Sequence, residues 1–195
     1  MGIVIGLVMA GLQLKNTKEP IRTKTQVVET EVKGVEVPVD RANLRVTKKK
    51  FGQYITAKNS PVQPEKFGGY HTGTDFEIFP DEAEKPVEVR AICDGRLELK
   101  KTATGYGGVA VQSCMYHDQQ VTVIYGHLKL SSVGRLVGEE IKYAEVIGIL
   151  GKGFSVETDG ERKHLHLGIH KGSRIDVRGY VDSKSMLSEW LDIPY

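Results

Sequence analysis

The chain has 195 residues, of which 39% are hydrophobic and 27% charged, and its formal net charge is +2. This length suffices for one packed domain and a tail, but not for two ordinary domains. The balanced charge, with no basic stripe interleaved with aromatic residues, gives no reason to expect a nucleic-acid partner. The 22 glycines exceed the usual share of about 7%, which predicts a β-protein with many tight turns.

The N-terminus carries an apolar stretch at residues 3–12 (IVIGLVMAGL). About ten residues is the length of a signal-peptide core and is too short to span a bilayer of roughly 30 Å. Three interpretations stay open: a cleaved signal, a membrane anchor whose start lies upstream, and a buried first strand. We favour export and predict that residues 1–12 are a signal or membrane-anchor remnant. The protein is then extracytoplasmic, either secreted or attached to the membrane through its N-terminus.

Residues 13–45 are polar and charged, without a persistent apolar face, which predicts a linker or pro-segment. The segment could tether the protein or cover its functional site, and the sequence does not decide between these roles. We predict that residues 46–195 form the single folded domain and that the protein is a monomer.

Short strand-like runs, separated by turn residues, fill most of this domain. They lie at 86–93, 96–101, 108–115, 120–125, 145–150 and 164–170. Their spacing predicts a mainly β fold, an antiparallel β-sandwich or open barrel. A short C-terminal helix is predicted after Asp182 or Ser183, either of which can cap it, with Met186 and Leu187 on its apolar face.

The two cysteines, Cys93 and Cys114, lack the C-x-x-C spacing of a zinc or redox motif. They could form one disulfide in an oxidising compartment or remain two unpaired strand cysteines.

The first candidate metal ligands are His71 and Asp75, which are four residues apart in the run HTGTD. Glycine and two threonines disfavour a helix there. In an extended strand the two Cα atoms would lie roughly 13 Å apart, at about 3.3 Å per residue. This separation is too long for two donors that each lie about 2 Å from one metal ion. A bend at Gly73 would close the gap, because glycine tolerates unusual backbone angles.

The second group of candidates lies in the run 164–170 (HLHLGIH), whose strict alternation is typical of a half-buried strand. The apolar side chains of this run are predicted to face the core. The histidines then share the opposite face, with neighbours roughly 6.6 Å apart. One of His164 and His166 can bind a metal ion while the other faces the same open site.

A third candidate, His127, follows the strand-like run 121–124 within the sequence YGHL. The chain thus carries three motifs in this order: His-x-Gly-x-Asp, Tyr-x-His-Leu and His-Leu-His. Together they resemble the motifs of the lysostaphin-type zinc peptidases, which cut bacterial cell-wall peptides. The intervening segments 91–95 (AICDG), 105–109 (GYGGV) and 137–151 (VGEEIKYAEVIGILG) also resemble that family. The resemblance covers about residues 51–171 and does not extend to residues 1–45.

This resemblance implies a fold of the duplicated hybrid motif type and a set of residue roles. His71, Asp75 and His166 would bind Zn²⁺ and leave a fourth position for water. His164 would be the general base, and His127 would help it to orient water and stabilise the tetrahedral intermediate. The implied substrate is a peptide of peptidoglycan, in the stem or the cross-bridge.

The sequence departs from the family pattern next to these motifs. Glu161-Arg162-Lys163 replaces the usual Thr-Gly before His-Leu-His, which predicts a differently shaped cleft. Some members use a tyrosine near the intermediate, for which Tyr54 and Tyr70 are the candidates here. The two remaining histidines, His117 and His170, are predicted to lie outside the site.

Two other functions remain open from the sequence. One is a non-catalytic regulator that binds peptidoglycan, although such relatives have usually lost a metal ligand and none is missing here. The other is a carrier or phosphotransfer domain of similar fold, with which the tract 138–151 is compatible. Those domains present a lysine or one phosphorylatable histidine, not the paired motifs of this chain.

Overall fold

Antiparallel β-strands make up much of the chain for which the structure, a computed structural model, describes residues 1–2, 37–193 and 195. The strands are β1 (Tyr54–Ile55), β2 (Gly69–His71), β3 (Gly73–Glu77), β4 (Glu88–Arg90), β5 (Gly95–Ala103), β6 (Gly107–Tyr116), β7 (Gln119–Gly126), β8 (Glu140–Ile141), β9 (Val146–Ile149), β10 (His164–Lys171) and β11 (Tyr180–Val181). The helices are α1 (Lys184–Leu187) and four 3-10 turns, Ala42–Leu44, Pro80–Glu82, Leu130–Ser132 and Val156–Thr158.

The described strands form three sheets. The largest has the order β3-β10-β7-β6-β5-β8, a second has the order β1-β2-β11, and β4 pairs with β9 in the third. Every pairing is antiparallel, and the sheets do not close into a barrel within the described part of the chain. The predicted fold class, mainly β and antiparallel with a short C-terminal helix, is confirmed.

The alternation of β10 separates the core from the candidate site. Leu165, Leu167 and Ile169 are at most 4% exposed and belong to the main hydrophobic core. The intervening histidines occupy the other face of the strand, as predicted. Strands β6 and β7 are joined by a two-residue turn in which His117 and Asp118 have positive φ, a backbone that suits the twist of paired strands.

The folded unit begins before residue 46, which the sequence analysis predicts as its first residue. Val39 and Ala42 lie in the main core. Arg45, 2% exposed, donates two hydrogen bonds to the carboxylate of Glu82, at 2.6 and 2.8 Å. The expected signal or anchor and most of the expected linker lie outside the described residues. No helix in the described ranges combines the length and the apolar character that a membrane crossing requires.

The C-terminal helix is capped as predicted, because the Ser183 hydroxyl accepts a hydrogen bond from the Met186 N–H. Cys93 and Cys114 form a disulfide, which resolves the two possibilities left by the sequence. The register of β5 on β6 places Gly95 opposite Cys114, and this pairing brings Cys93 close to its partner.

Candidate metal centre and cleft

His71 and Asp75 come together because the chain changes sheets between them. His71 ends β2 in the three-stranded sheet, and Asp75 lies in β3 at the edge of the six-stranded sheet. Thr72 lies between the two strands, where its N–H donates to the carbonyl of Gly179 and its hydroxyl to that of Arg178. The crossing point is therefore held by the segment that leads into β11.

Position 73 requires glycine because there is no space for a side chain, not because its backbone angles are unusual. Its φ lies outside the left-handed region, so the explanation offered from the sequence is wrong. A Cβ at this position would meet the carbonyl oxygen of Leu167 and lie 2.7 Å from Nε2 of His166. The close approach of β10 to β3 is what requires glycine.

Strand β10 brings two histidines to the same place. Its register on β3 pairs His166 with Asp75 and His164 with Glu77. His127 follows β7, and its ring centroid lies 4.2 Å from that of His164. The structure therefore brings all five sequence-predicted site residues together, and each is at most 4% exposed.

Three potential ligand atoms form a tight triangle. Nε2 of His71 lies 3.1 Å from Nδ1 of His166 and 3.3 Å from Oδ1 of Asp75, and the last two atoms are 3.1 Å apart. Donors about 2.0–2.1 Å from one tetrahedral ion lie roughly 3.3 Å from each other. The donor set of these three residues thus has the composition and spacing of a zinc site.

Hydrogen bonds to backbone carbonyls orient two of the histidine rings. Nδ1 of His71 lies 3.2 Å from the carbonyl oxygen of Lys50, and Nδ1 of His164 lies 2.9 Å from that of Arg162. A carbonyl oxygen only accepts hydrogen bonds, so both Nδ1 atoms donate. In the neutral form of each ring the lone pair is then on Nε2, which lies 3.3 Å from an oxygen of Asp75.

The protonation states suit cation binding. Burial lowers the pKa of His166 to about 4, although the hydrogen bond to Asp75 opposes this change. Burial also lowers the pKa of His127 well below its usual value. Burial alone would raise the pKa of Asp75, but His71 and His164 outweigh it and hold that pKa well below the usual range. At neutral pH His127 and His166 are therefore neutral imidazoles, and Asp75 is an ionised carboxylate.

The five residues line a cleft of about 450 Å³. Two tyrosines that the sequence analysis did not single out also line it, Tyr106 and Tyr180. Among the residues that the structure describes, the buried Tyr106 hydroxyl has no hydrogen-bond partner, whereas the Tyr180 hydroxyl accepts a hydrogen bond from Lys49 at 2.9 Å. Neither Tyr54 nor Tyr70, the tyrosines considered from the sequence, lines this cleft.

A buried ion-pair cluster beside the ligands was also missed by sequence reasoning. Arg162 donates hydrogen bonds to the carboxylates of both Asp75 and Glu77, and its side chain is only 9% exposed. The only sequence signal was the departure from the family pattern at residues 161–163. His117 is an exposed turn residue, and His170, which lies on β10, packs against Trp190. Neither histidine lines the cleft, as the sequence predicted.

Two imidazoles and a carboxylate beside further histidines, in an open cleft, are typical of metal-dependent hydrolases. The chain belongs to peptidase family M23, whose profile matches residues 69–177, more than half of its length. No curated protein sequence matches it.

Solved structures of similar fold include that of LytU, which is 20% identical, with a TM-score of 0.51 over 76% of this chain and 81% of that one. A zinc-containing peptidase from Vibrio cholerae is 21% identical, with a TM-score of 0.44 over 70% of this chain and 36% of that one. Csd3 from Helicobacter pylori is 22% identical, with a TM-score of 0.43 over 71% of this chain and 32% of that one. The chain thus spans about a third of the length of the last two proteins. The likeness to LytU supports the fold alone.

Proposed function

We propose that this protein is a zinc-dependent endopeptidase that hydrolyses peptide bonds of bacterial peptidoglycan, in the stem peptide or the cross-bridge. It acts outside the cytoplasm, as a secreted or membrane-anchored monomer. The observation that carries the proposal is the triangle of donor atoms from His71, Asp75 and His166. All three residues line the cleft, from which a fourth ligand can approach the metal ion. Membership of peptidase family M23 supports the same reaction class.

The three residues of the triangle would hold the metal ion. Zinc bound there would lower the pKa of a coordinated water to about 7 and polarise the carbonyl of the scissile bond. The Asp75 carboxylate supplies a negative charge that imidazole ligands do not carry. Because all three side chains are nearly buried, substrate reaches the site from the cleft alone.

His164 is positioned to act as the general base. Its Nδ1–H is committed to the Arg162 carbonyl, so its Nε2 lone pair is available to accept the proton of the attacking water. The ring can later return that proton to the leaving amine. A histidine whose unperturbed pKa is near 6.5 is suited to both steps.

His127 is positioned to assist His164. The two rings are in contact, and Nδ1 of His127 is buried without a hydrogen-bond partner within the described residues. A buried polar atom without a partner is costly, so this nitrogen is suited to a water or substrate group in the cleft. We assign it to orienting water and stabilising the tetrahedral intermediate.

Digestion of purified peptidoglycan tests the proposal. Wild-type protein should release new amino termini, detected by mass analysis of the products, and a chelator should abolish the release. Restoring zinc should recover it. His166→Ala should be inactive, because it removes one of the three ligands.

His117→Ala is the matched control, since this histidine lies in an exposed turn outside the cleft. It should digest peptidoglycan as the wild type does. Release of reducing sugars without new amino termini, or digestion that is unaffected by the chelator, would contradict the proposal.

A further inference from the structure

The buried ion-pair cluster of Arg162, Asp75 and Glu77 lies directly behind the triangle of donor atoms. Nη2 of Arg162 lies 2.8 Å from Oδ2 of Asp75 and 2.5 Å from Oε1 of Glu77, and its Nε lies 2.9 Å from both Glu77 oxygens. The three side chains are 9%, 3% and 11% exposed. A guanidinium is planar and always charged, so it fixes two carboxylates in one geometry.

This contact divides the two oxygens of Asp75 between different partners. Oδ1 faces the ligand nitrogens of His71 and His166, whereas Oδ2 accepts the hydrogen bond from Arg162. A carboxylate held in this way cannot turn to present both oxygens to one ion. Asp75 therefore offers a single oxygen, which leaves the fourth position of a tetrahedral site open.

The backbone of Arg162 acts on the proposed base at the same time. Its carbonyl accepts the Nδ1–H of His164, which fixes the tautomer and orientation of that ring. One residue thus contacts both a ligand and the base, through different atoms. Glu77 completes the arrangement, because its carboxylate balances the charge of the guanidinium; the same carboxylate also lies 3.3 Å from Nζ of Lys48.

We propose that Arg162, held by Glu77, is a positioning residue that restricts Asp75 to one-oxygen coordination of the zinc ion. The inference rests on the proposed zinc site, and it concerns residues that flank the site without touching the ion. Outer hydrogen-bond partners of this kind typically change metal affinity by 10–100-fold.

A double variant that keeps the net charge separates the effect of the Arg162 hydrogen bonds from the effect of its charge. Arg162→Met alone would leave Asp75 without its arginine and Glu77 with Lys48 as its remaining cation, 3.3 Å away, and the added negative charge would itself attract a metal ion. Combining Arg162→Met with Glu77→Gln removes one positive and one negative charge, so the net charge beside the site is unchanged. The matched control is Arg135→Met with Glu145→Gln, which removes a partly exposed Arg–Glu pair outside the cleft.

The measurement is the zinc dissociation constant, obtained by competition with a chromophoric chelator, together with urea unfolding of the metal-free proteins. We expect the Arg162/Glu77 variant to bind zinc 10–100-fold more weakly than the wild type. The control should bind as the wild type does. A merely structural role would lower the free energy of unfolding and leave the zinc affinity of the folded protein unchanged, and that result would overturn the inference.

If the double variant does not fold, the single substitution Arg162→Lys tests the inference. Lysine keeps the positive charge but lacks the planar fork that engages both carboxylates. A zinc dissociation constant at least several-fold above that of the wild type supports the inference, and an unchanged constant overturns it. A wild-type protein that binds no zinc would instead refute the proposed function and, with it, this inference.

Discussion

The substitution Gly73→Ala tests whether the close approach of β3 and β10 builds the metal site. The added methyl group would meet the Leu167 carbonyl oxygen and the ring of His166, whose Nε2 would lie 2.7 Å away. The carbonyl belongs to the strand pairing and cannot withdraw without breaking it, because Gly73 is itself paired with Gly168. The strands must therefore separate locally to relieve the contact with the carbonyl, and the ring must move as well.

The expected magnitude follows from this overlap. Overpacking of a well-packed site usually costs about 1–3 kcal/mol. For a folded unit of this size each kcal/mol lowers Tm by roughly 2–4 °C, so the metal-free variant should melt roughly 2–12 °C below the wild type. Displacement of the His166 ring should also weaken zinc binding, by at least about tenfold.

The assay is thermal unfolding in chelator, followed by zinc titration of the folded protein. Gly134→Ala is the control, because a Cβ there has nothing within 4 Å and the backbone has no positive φ. It should leave both quantities unchanged. If Gly73→Ala melts with the wild type and binds zinc equally well, the space argument is wrong.

Three further predictions address the base, an acidic group and the N-terminal boundary. His164→Gln should keep its zinc and lose at least about 100-fold in kcat, and loss of the metal would contradict the separation of base from ligand. Burial would raise the pKa of Asp176, but hydrogen bonds from residues such as Arg178 outweigh it and lower that pKa to about 2. The stabilisation that this depressed pKa provides is fully present above pH 4 and is lost as the pH falls through 2, so Asp176→Asn should cost roughly 1 kcal/mol at pH 7 and clearly less at pH 2, measured by urea unfolding. Arg45→Met should lower the free energy of unfolding by about 3 kcal/mol, since it leaves Glu82 without its buried partner, and an effect below 1 kcal/mol would show that residues near 45 are not part of the folded unit.

The sequence predicted the elements whose pattern is local. The alternation of 164–170 identified β10 and the face that carries its histidines. Each of the six strand-like runs overlaps an observed strand, and Ser183 caps the predicted helix. Strands of two residues, such as β1 and β11, are too short to show such a pattern, and their partners are set by the tertiary fold.

The remaining features of the site depend on register between distant segments. Arg162 and Asp75 are 87 residues apart in sequence, and only the pairing of β10 with β3 places one beside the other. Tyr180 reaches the cleft through β11, which pairs with β2 opposite His71. The disulfide likewise depends on the register of β5 on β6. A single sequence does not record these long-range pairings.

The most direct test of the account is a crystal structure of the zinc-loaded protein, with anomalous scattering measured on both sides of the zinc edge. The account predicts one strong peak about 2.0–2.2 Å from Nε2 of His71, Nδ1 of His166 and Oδ1 of Asp75, with the second Asp75 oxygen still bonded to Arg162. A peak at other side chains, or none at these three, would contradict it.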